Sequence, residues 1–94
     1  MAYKFIVVNR SDEVGVALAA IEATEIAQGF YLEDSSTILV AARADIPLGH
    51  KIALRGLAEG APVKKYGQII GTAIMKIEIG EHVHTHNLKS ARPS

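Results

Sequence analysis

An eleven-residue pattern recurs in this 94-residue chain, and it constrains the fold more than any other feature. "ALRGLAEGAPV" (Ala53 to Val63) and "AIMKIEIGEHV" (Ala73 to Val83) share Ala at the first place and an aliphatic residue at the second. They share Leu or Ile at the fifth place, Gly at the eighth and Val at the eleventh. A weaker copy begins at Ala17: "ALAAIEATEIA" keeps Ala17, Leu18 and Ile21 but has Thr24 where the others carry Gly60 and Gly80. Three copies at uneven spacing are too few to stack as a solenoid, in which each repeat buries a face against the next. They read instead as one supersecondary unit used more than once: a strand, a short turn closed by glycine, then another strand.

The rest of the chain reads mostly as short strands. Phe5-Ile6-Val7-Val8 and Ser36 to Ala42 are apolar, β-branched runs, and the polar residues of Tyr31 to Thr37 predict a hairpin. Tyr66-Gly67 reads as another turn, and Lys64-Lys65 as a solvated loop. Across Asp12 to Gln28 the alanines favour helix by propensity. Val14-Gly15-Val16 opposes it, so strand is expected to about Leu18, followed by one short helical turn. Pro47 and Pro62 punctuate, because proline lacks the N–H of a central ladder. The fold class expected is mainly β: one compact domain over residues 1–88 with one or two short helical turns, then a flexible tail over 89–94.

Composition narrows the functions. Basic and acidic side chains number ten each, so there is no excess of Lys and Arg to neutralise phosphates, and nucleic acid is not expected as a partner. The absence of cysteine removes disulfides, thiolate metal sites and a cysteine nucleophile, and points to a reducing cytoplasm. No run approaches the roughly 20 apolar residues of a membrane span, and Phe5 to Val8 is too short for a signal peptide.

The candidate chemistry lies in the four histidines. "GEHVHTHNL" (Gly80 to Leu88) puts His82, His84 and His86 on alternate positions. On a regular strand they share one face, with neighbouring Cα atoms about 6.6 Å apart. Two imidazoles at that spacing can converge on one cation through metal–nitrogen bonds of about 2.0 to 2.1 Å. The outer pair lies about 13 Å apart, so either two bind or the strand ends near Asn87 and curls. An exposed polar face explains the same alternation without a ligand. The fourth histidine, His50, follows the turn Ile46-Pro47-Leu48-Gly49 and precedes Lys51. Such a pair can supply an acid/base and a carboxylate anchor, or it can be an ordinary polar loop.

"IPLGHKIALRGLAEGAPVKKYGQIIGTA", followed by "GEHVHTHNL", closely resembles the N-terminal domain of altronate and galactarate dehydratases, a SAF-type β-clip domain. The resemblance covers nearly the whole chain and is strongest from Ile46 to Leu88. It rests on the "GHK", "KYG" and "HVHxHN" elements together, and it departs from the family at Thr24 and in the apolar "AIEATEIA". In that family, which includes sulfolactate sulfo-lyase, the small domain is fused to a large catalytic domain or made as a separate subunit.

The resemblance implies a small subunit that is inactive without its large partner. The implied substrate is a 2-hydroxycarboxylate. A base removes the proton at C2, water or sulfite leaves from C3, and the enol tautomerises to a 2-keto acid. A divalent cation, iron or manganese, shared with the large subunit would stabilise the charge on the carboxylate. The residues implied are His50 and His84 as catalytic groups, His82, His84 and His86 as metal ligands, and Lys51 and Asn87 as substrate contacts. The competing reading is a non-catalytic SAF-type module that binds a carbohydrate or sugar acid or assists assembly of a partner. These residues do not separate dehydration from carbon–sulfur cleavage. Oligomeric state stays open, since small β domains with exposed edges often pair.

Overall fold

A computed structural model describes residues 2–91. The strands in chain order are β1 (Phe5–Val7), β2 (Val14–Ala17), β3 (Ile26–Tyr31), β4 (Thr37–Ala41), β5 (Lys51–Ala53), β6 (Pro62–Lys65), β7 (Gln68–Ala73), β8 (His82–Val83) and β9 (Leu88–Ser90). They form a six-stranded sheet in the order β4-β3-β1-β2-β5-β8 and a three-stranded sheet in the order β6-β7-β9. Among the described residues only the β1–β3 pairing is parallel. The domain is thus mainly β, as the sequence suggested. Among the described residues no helix is long and apolar enough to cross a membrane.

The repeat builds this architecture, and it has a fourth copy. "ARADIPLGHKI" (Ala42 to Ile52) carries Ala42, Ile46, Gly49 and Ile52 at the first, fifth, eighth and eleventh places and abuts the copy that starts at Ala53. The copies pair two by two. Ile21 and Ile46 exchange backbone hydrogen bonds of 2.9 and 2.8 Å, and Leu57 and Ile77 exchange bonds of 2.7 and 2.8 Å. The eighth N–H of each copy donates to the first carbonyl of its partner, each at 2.8 Å: Thr24 to Ala42, Gly49 to Ala17, Gly60 to Ala73, Gly80 to Ala53. All four eighth residues have left-handed backbone, with φ of 74, 83, 89 and 89° in chain order.

The first, fifth and eleventh side chains point inward in every copy. Ala17, Ile21, Ala27, Ala42, Ile46 and Ile52 join Phe5, Val7 and Tyr31 in one core. Ala53, Leu57, Val63, Ala73, Ile77 and Val83 join Val14 in the second. These twelve are among the eighteen buried apolar residues, so the repeat supplies most of the burial that stabilises the domain. Each buried Ile, Leu or Val contributes about 1.5–3 kcal/mol.

The helical turn expected after Leu18 is absent. Residues 18–24 are the turn of the first copy, and the N–H of Ile21 is taken by Ile46 rather than by a carbonyl four residues earlier. Alanine propensity is a weak preference that this pairing overrides. Thr24 bears a cost there, because a β-branched residue at φ 74° is strained by about 1–2 kcal/mol. Thr24→Gly is expected to stabilise the domain by about 0.5–1 kcal/mol, the relief less the added entropy of an unfolded glycine. Thermal denaturation should show a Tm about 2–8 °C higher; an unchanged or lower Tm contradicts the strain.

Two other expectations are revised. Lys64 and Lys65 are not a loop: both lie in β6 and are half-buried. Lys89 and Ser90, expected in the tail, belong to β9, which pairs with β7; residues 92–94 of that tail lie outside the described residues.

Candidate functional site

His50 and His82 come from different copies of the repeat. His50 directly follows the left-handed Gly49, and His82 follows Gly80-Glu81. β5 and β8 then pair antiparallel, with Lys51 opposite Val83 and Ile52 opposite His82. This register sets His50 Nδ1 2.9 Å from His82 Nε2, so one ring donates and the other accepts.

β8 is only two residues long, and the chain turns at 84–87. Asn87 makes that turn. Its side chain is 2% exposed; Oδ1 accepts from the His84 N–H at 2.9 Å, and Nδ2 donates to the His82 carbonyl at 2.9 Å. The curl stacks the His84 ring on His50, with centroids 4.6 Å apart and planes at 26°. It also stacks His84 on His82, at 5.4 Å and 12°. His86 lies against His82 at 5.5 Å.

One ring nitrogen from each of His50, His82 and His84 falls within 4.8 Å of the other two. The histidines brought together differ from the ligand set expected from the sequence. His50 joins His82 and His84, and His86 stays outside, because the flat strand that would align three alternate residues stops at Val83. Asn87 is also revised. Both ends of its amide are used inside the turn, so it positions His82 and His84 rather than meeting a substrate. Glu81 is not in this group, and its carboxylate accepts from the Glu78 N–H.

The donor set fits a divalent metal. Imidazole nitrogens suit first-row metals, and a ligand must be in its neutral form. Burial holds the His82 pKa below its ordinary value, helped by the charges of His50, His84, His86 and Lys51. The unfolded imidazole takes its proton near 6.5, while the folded one takes it only at lower pH. The stability this group contributes is therefore full above about pH 6.5 and is lost as pH falls from there through the folded value. In metal-free chain, denaturant unfolding should give lower stability at acid pH than at neutral pH, and His82→Gln should flatten the difference. An unchanged slope in that variant contradicts the assignment.

A cleft of about 570 Å³ opens beside His84, between β5 and the three-stranded sheet. Lys51, the expected substrate contact, lines it together with Lys65, Gln68 and Thr85. Burial lowers the Lys51 pKa, and the Lys65 ammonium lowers it further.

Sequence reasoning missed two residues that shape this wall. Lys65 was hidden in an ordinary-looking basic pair. Asp12 sat in a polar stretch with no motif, yet it is 1% exposed. Its Oδ1 accepts from the Gly67 N–H at 2.8 Å, and its Oδ2 accepts from Tyr66 at 2.9 Å and Asn9 at 3.2 Å. Asp12 thus pins the β6–β7 hairpin, whose turn residues Tyr66 and Gly67 both have positive φ.

Comparison with known proteins places the chain in a family. The family described as the altronate/galactarate dehydratase SAF domain matches residues 3–91. The chain is 39% identical over 93 residues to the (2R)-sulfolactate sulfo-lyase subunit alpha of Chromohalobacter salexigens, covering 98% of this chain and 99% of that protein. It is 49% identical over 59 residues to the subunit of the same name from Paracoccus pantotrophus, covering 63% of this chain and 88% of that one. It is 41% identical over 88 residues to the altronate dehydratase of Escherichia coli, covering 93% of this chain but only 16% of the enzyme.

Proposed function

The chain belongs to the altronate/galactarate dehydratase SAF-domain family, and from that membership we propose that it is the small subunit of a cytoplasmic β-eliminating lyase. In this reading a larger partner completes the site, and the substrate is a 2-hydroxycarboxylate, either a sugar acid of the altronate kind or sulfolactate. Relatives that match over nearly their whole length are named as a lyase subunit, which supports a separate small chain. The observation that carries the site is the convergence of His50, His82 and His84 from two copies of the repeat.

These three imidazoles would hold the divalent cation, iron or manganese, which supplies stabilisation of the charge that grows on the substrate carboxylate when C2 loses its proton. His84 is the ligand that opens on the cleft, so a bound substrate meets it first. In the metal-free chain His50 and His82 hydrogen-bond to each other, and both rings stack on His84. Asn87 holds the turn that carries His84. The base that takes the C2 proton is assigned to the partner.

The test is reconstitution. The chain alone, its large partner alone, and the two mixed would be assayed for 2-keto acid formed from altronate, galactarate and sulfolactate. Turnover of one of these by the mixture only is expected. A partner that works equally well without this chain, or a mixture that turns over none of the three, would overturn the proposal.

A further inference from the structure

We infer that the cleft between the two sheets is an oxyanion subsite, in which Lys51 and Lys65 grip a carboxylate or sulfonate at one end of a small dianion while its other end reaches the histidines. The second half of this inference rests on the lyase reading; the anion grip stands on the cleft alone.

The two lysines face one hollow from different sheets, Lys51 from β5 and Lys65 from β6. The chain has ten acidic side chains, yet none lines this cleft. Among the described residues Lys4, Arg10, Arg55 and Lys76 each pair with a carboxylate, and no such pair involves Lys51 or Lys65. The contact Lys65 does make is with the face of Tyr66, at 4.8 Å. Two half-buried ammonium groups that share a hollow repel each other until an anion lies between them. A carboxylate or sulfonate oxygen there accepts charge-assisted hydrogen bonds from both.

The grip is built before any ligand arrives. Asp12 fixes the hairpin that carries Lys65, and pairing with Val83 fixes the strand that carries Lys51. The geometry also sets the ligand's size. The cleft includes His84, so the two lysines and one imidazole of the histidine cluster border one space of about 570 Å³. That is within the usual range of small-molecule pockets. A compact molecule with an anionic group at each end fits that division of partners.

The test uses the full chain, metal-free and labelled with ¹⁵N, titrated with succinate, with sulfoacetate and with the neutral diamide of succinate. Saturable shifts at Lys51, Lys65 and His84 are expected with at least one dianion and not with the diamide. Saturation by sulfoacetate alone assigns a sulfonate, by succinate alone a carboxylate, and by both the shared oxyanion. Lys65→Gln, and separately Lys51→Gln as a second variant, should weaken binding about fivefold or more, while Lys76→Gln, exposed and remote in sequence, should change it less than about twofold. Shifts that never saturate, or equal effects of Lys65→Gln and Lys76→Gln, would overturn the subsite. Zinc titration of the same samples reads the histidine cluster separately. Anion binding without zinc binding removes the metal reading and leaves the subsite, and zinc binding without anion binding removes the subsite alone.

Discussion

Gly80→Ala is expected to destabilise the domain by about 3 kcal/mol or more, while Gly60→Ala, at the same place in the repeat, should cost only about 1–2 kcal/mol. Both glycines have φ of 89°, so the penalty for a left-handed alanine is common to them. They differ in what a methyl group would meet. At Gly60 nothing lies within 4 Å, whereas at Gly80 a Cβ would sit 2.0 Å from the Ala41 carbonyl oxygen and 3.3 Å from the Arg43 nitrogen. Those atoms are backbone at the end of β4, and the Arg43 N–H donates to the Gly80 carbonyl at 2.9 Å. Neither side can move without breaking that contact. A domain of this size has about 5–10 kcal/mol in all, so Tm should fall by about 12 °C or more for Gly80→Ala and by less than about 16 °C for Gly60→Ala, with the first always the larger. Equal drops in thermal denaturation would mean that Gly80 does not pack against β4 as described.

The second large effect concerns the cation. Removing a ligand should cost about 100-fold in affinity, on the scale of losses seen when even the groups supporting a ligand are changed. Zinc, titrated calorimetrically as the probe, should lose that much on His50→Ala, His82→Ala or His84→Ala, and less than about threefold on His86→Ala. The contrast between His50 and His86 is the informative one. Alternation along a flat strand puts His86 in the site and leaves His50 out; the observed nitrogens, within 4.8 Å for His50, His82 and His84, do the reverse. A loss in His86→Ala as great as in His50→Ala would restore the flat-strand arrangement.

Much of the fold was legible because it is local. β-branched runs, the polar hairpin at 31–37 and the Tyr66-Gly67 turn all follow from residue chemistry at short range. The repeat was visible too, as a spacing of Ala, Leu or Ile, Gly and Val. What it meant was hidden, since pairing between copies is a long-range fact: Ile21 with Ile46, Leu57 with Ile77. The copy from Ala42 to Ile52 escaped because Pro47 and Gly49 make it look like an ordinary turn, and because it abuts the next copy with no gap. Thr24 shows the limit of propensity, as alanine-rich neighbours argue for helix while the partner copy imposes a left-handed turn.

The histidines stood out as the candidate chemistry from type and spacing, and the resemblance named the family that the comparison finds. That His50 meets the row was expected, but which three rings come closest was not readable. It depends on β8 ending after two residues, on an Asn87 amide turned inward, and on a register that brings His50 to His82 across 32 residues. Asp12 had no signal at all, and Lys65 had only its place in the "KYG" element, because each acts through a partner far away in sequence.

The most direct measurement is kcat of the reconstituted lyase with His84→Gln in this chain, alongside a check that the two subunits still assemble. A fall of about 100-fold or more with assembly intact is expected for a group that holds the cation at the cleft. Turnover within about twofold of the unaltered complex, with the variant fully incorporated, would contradict it.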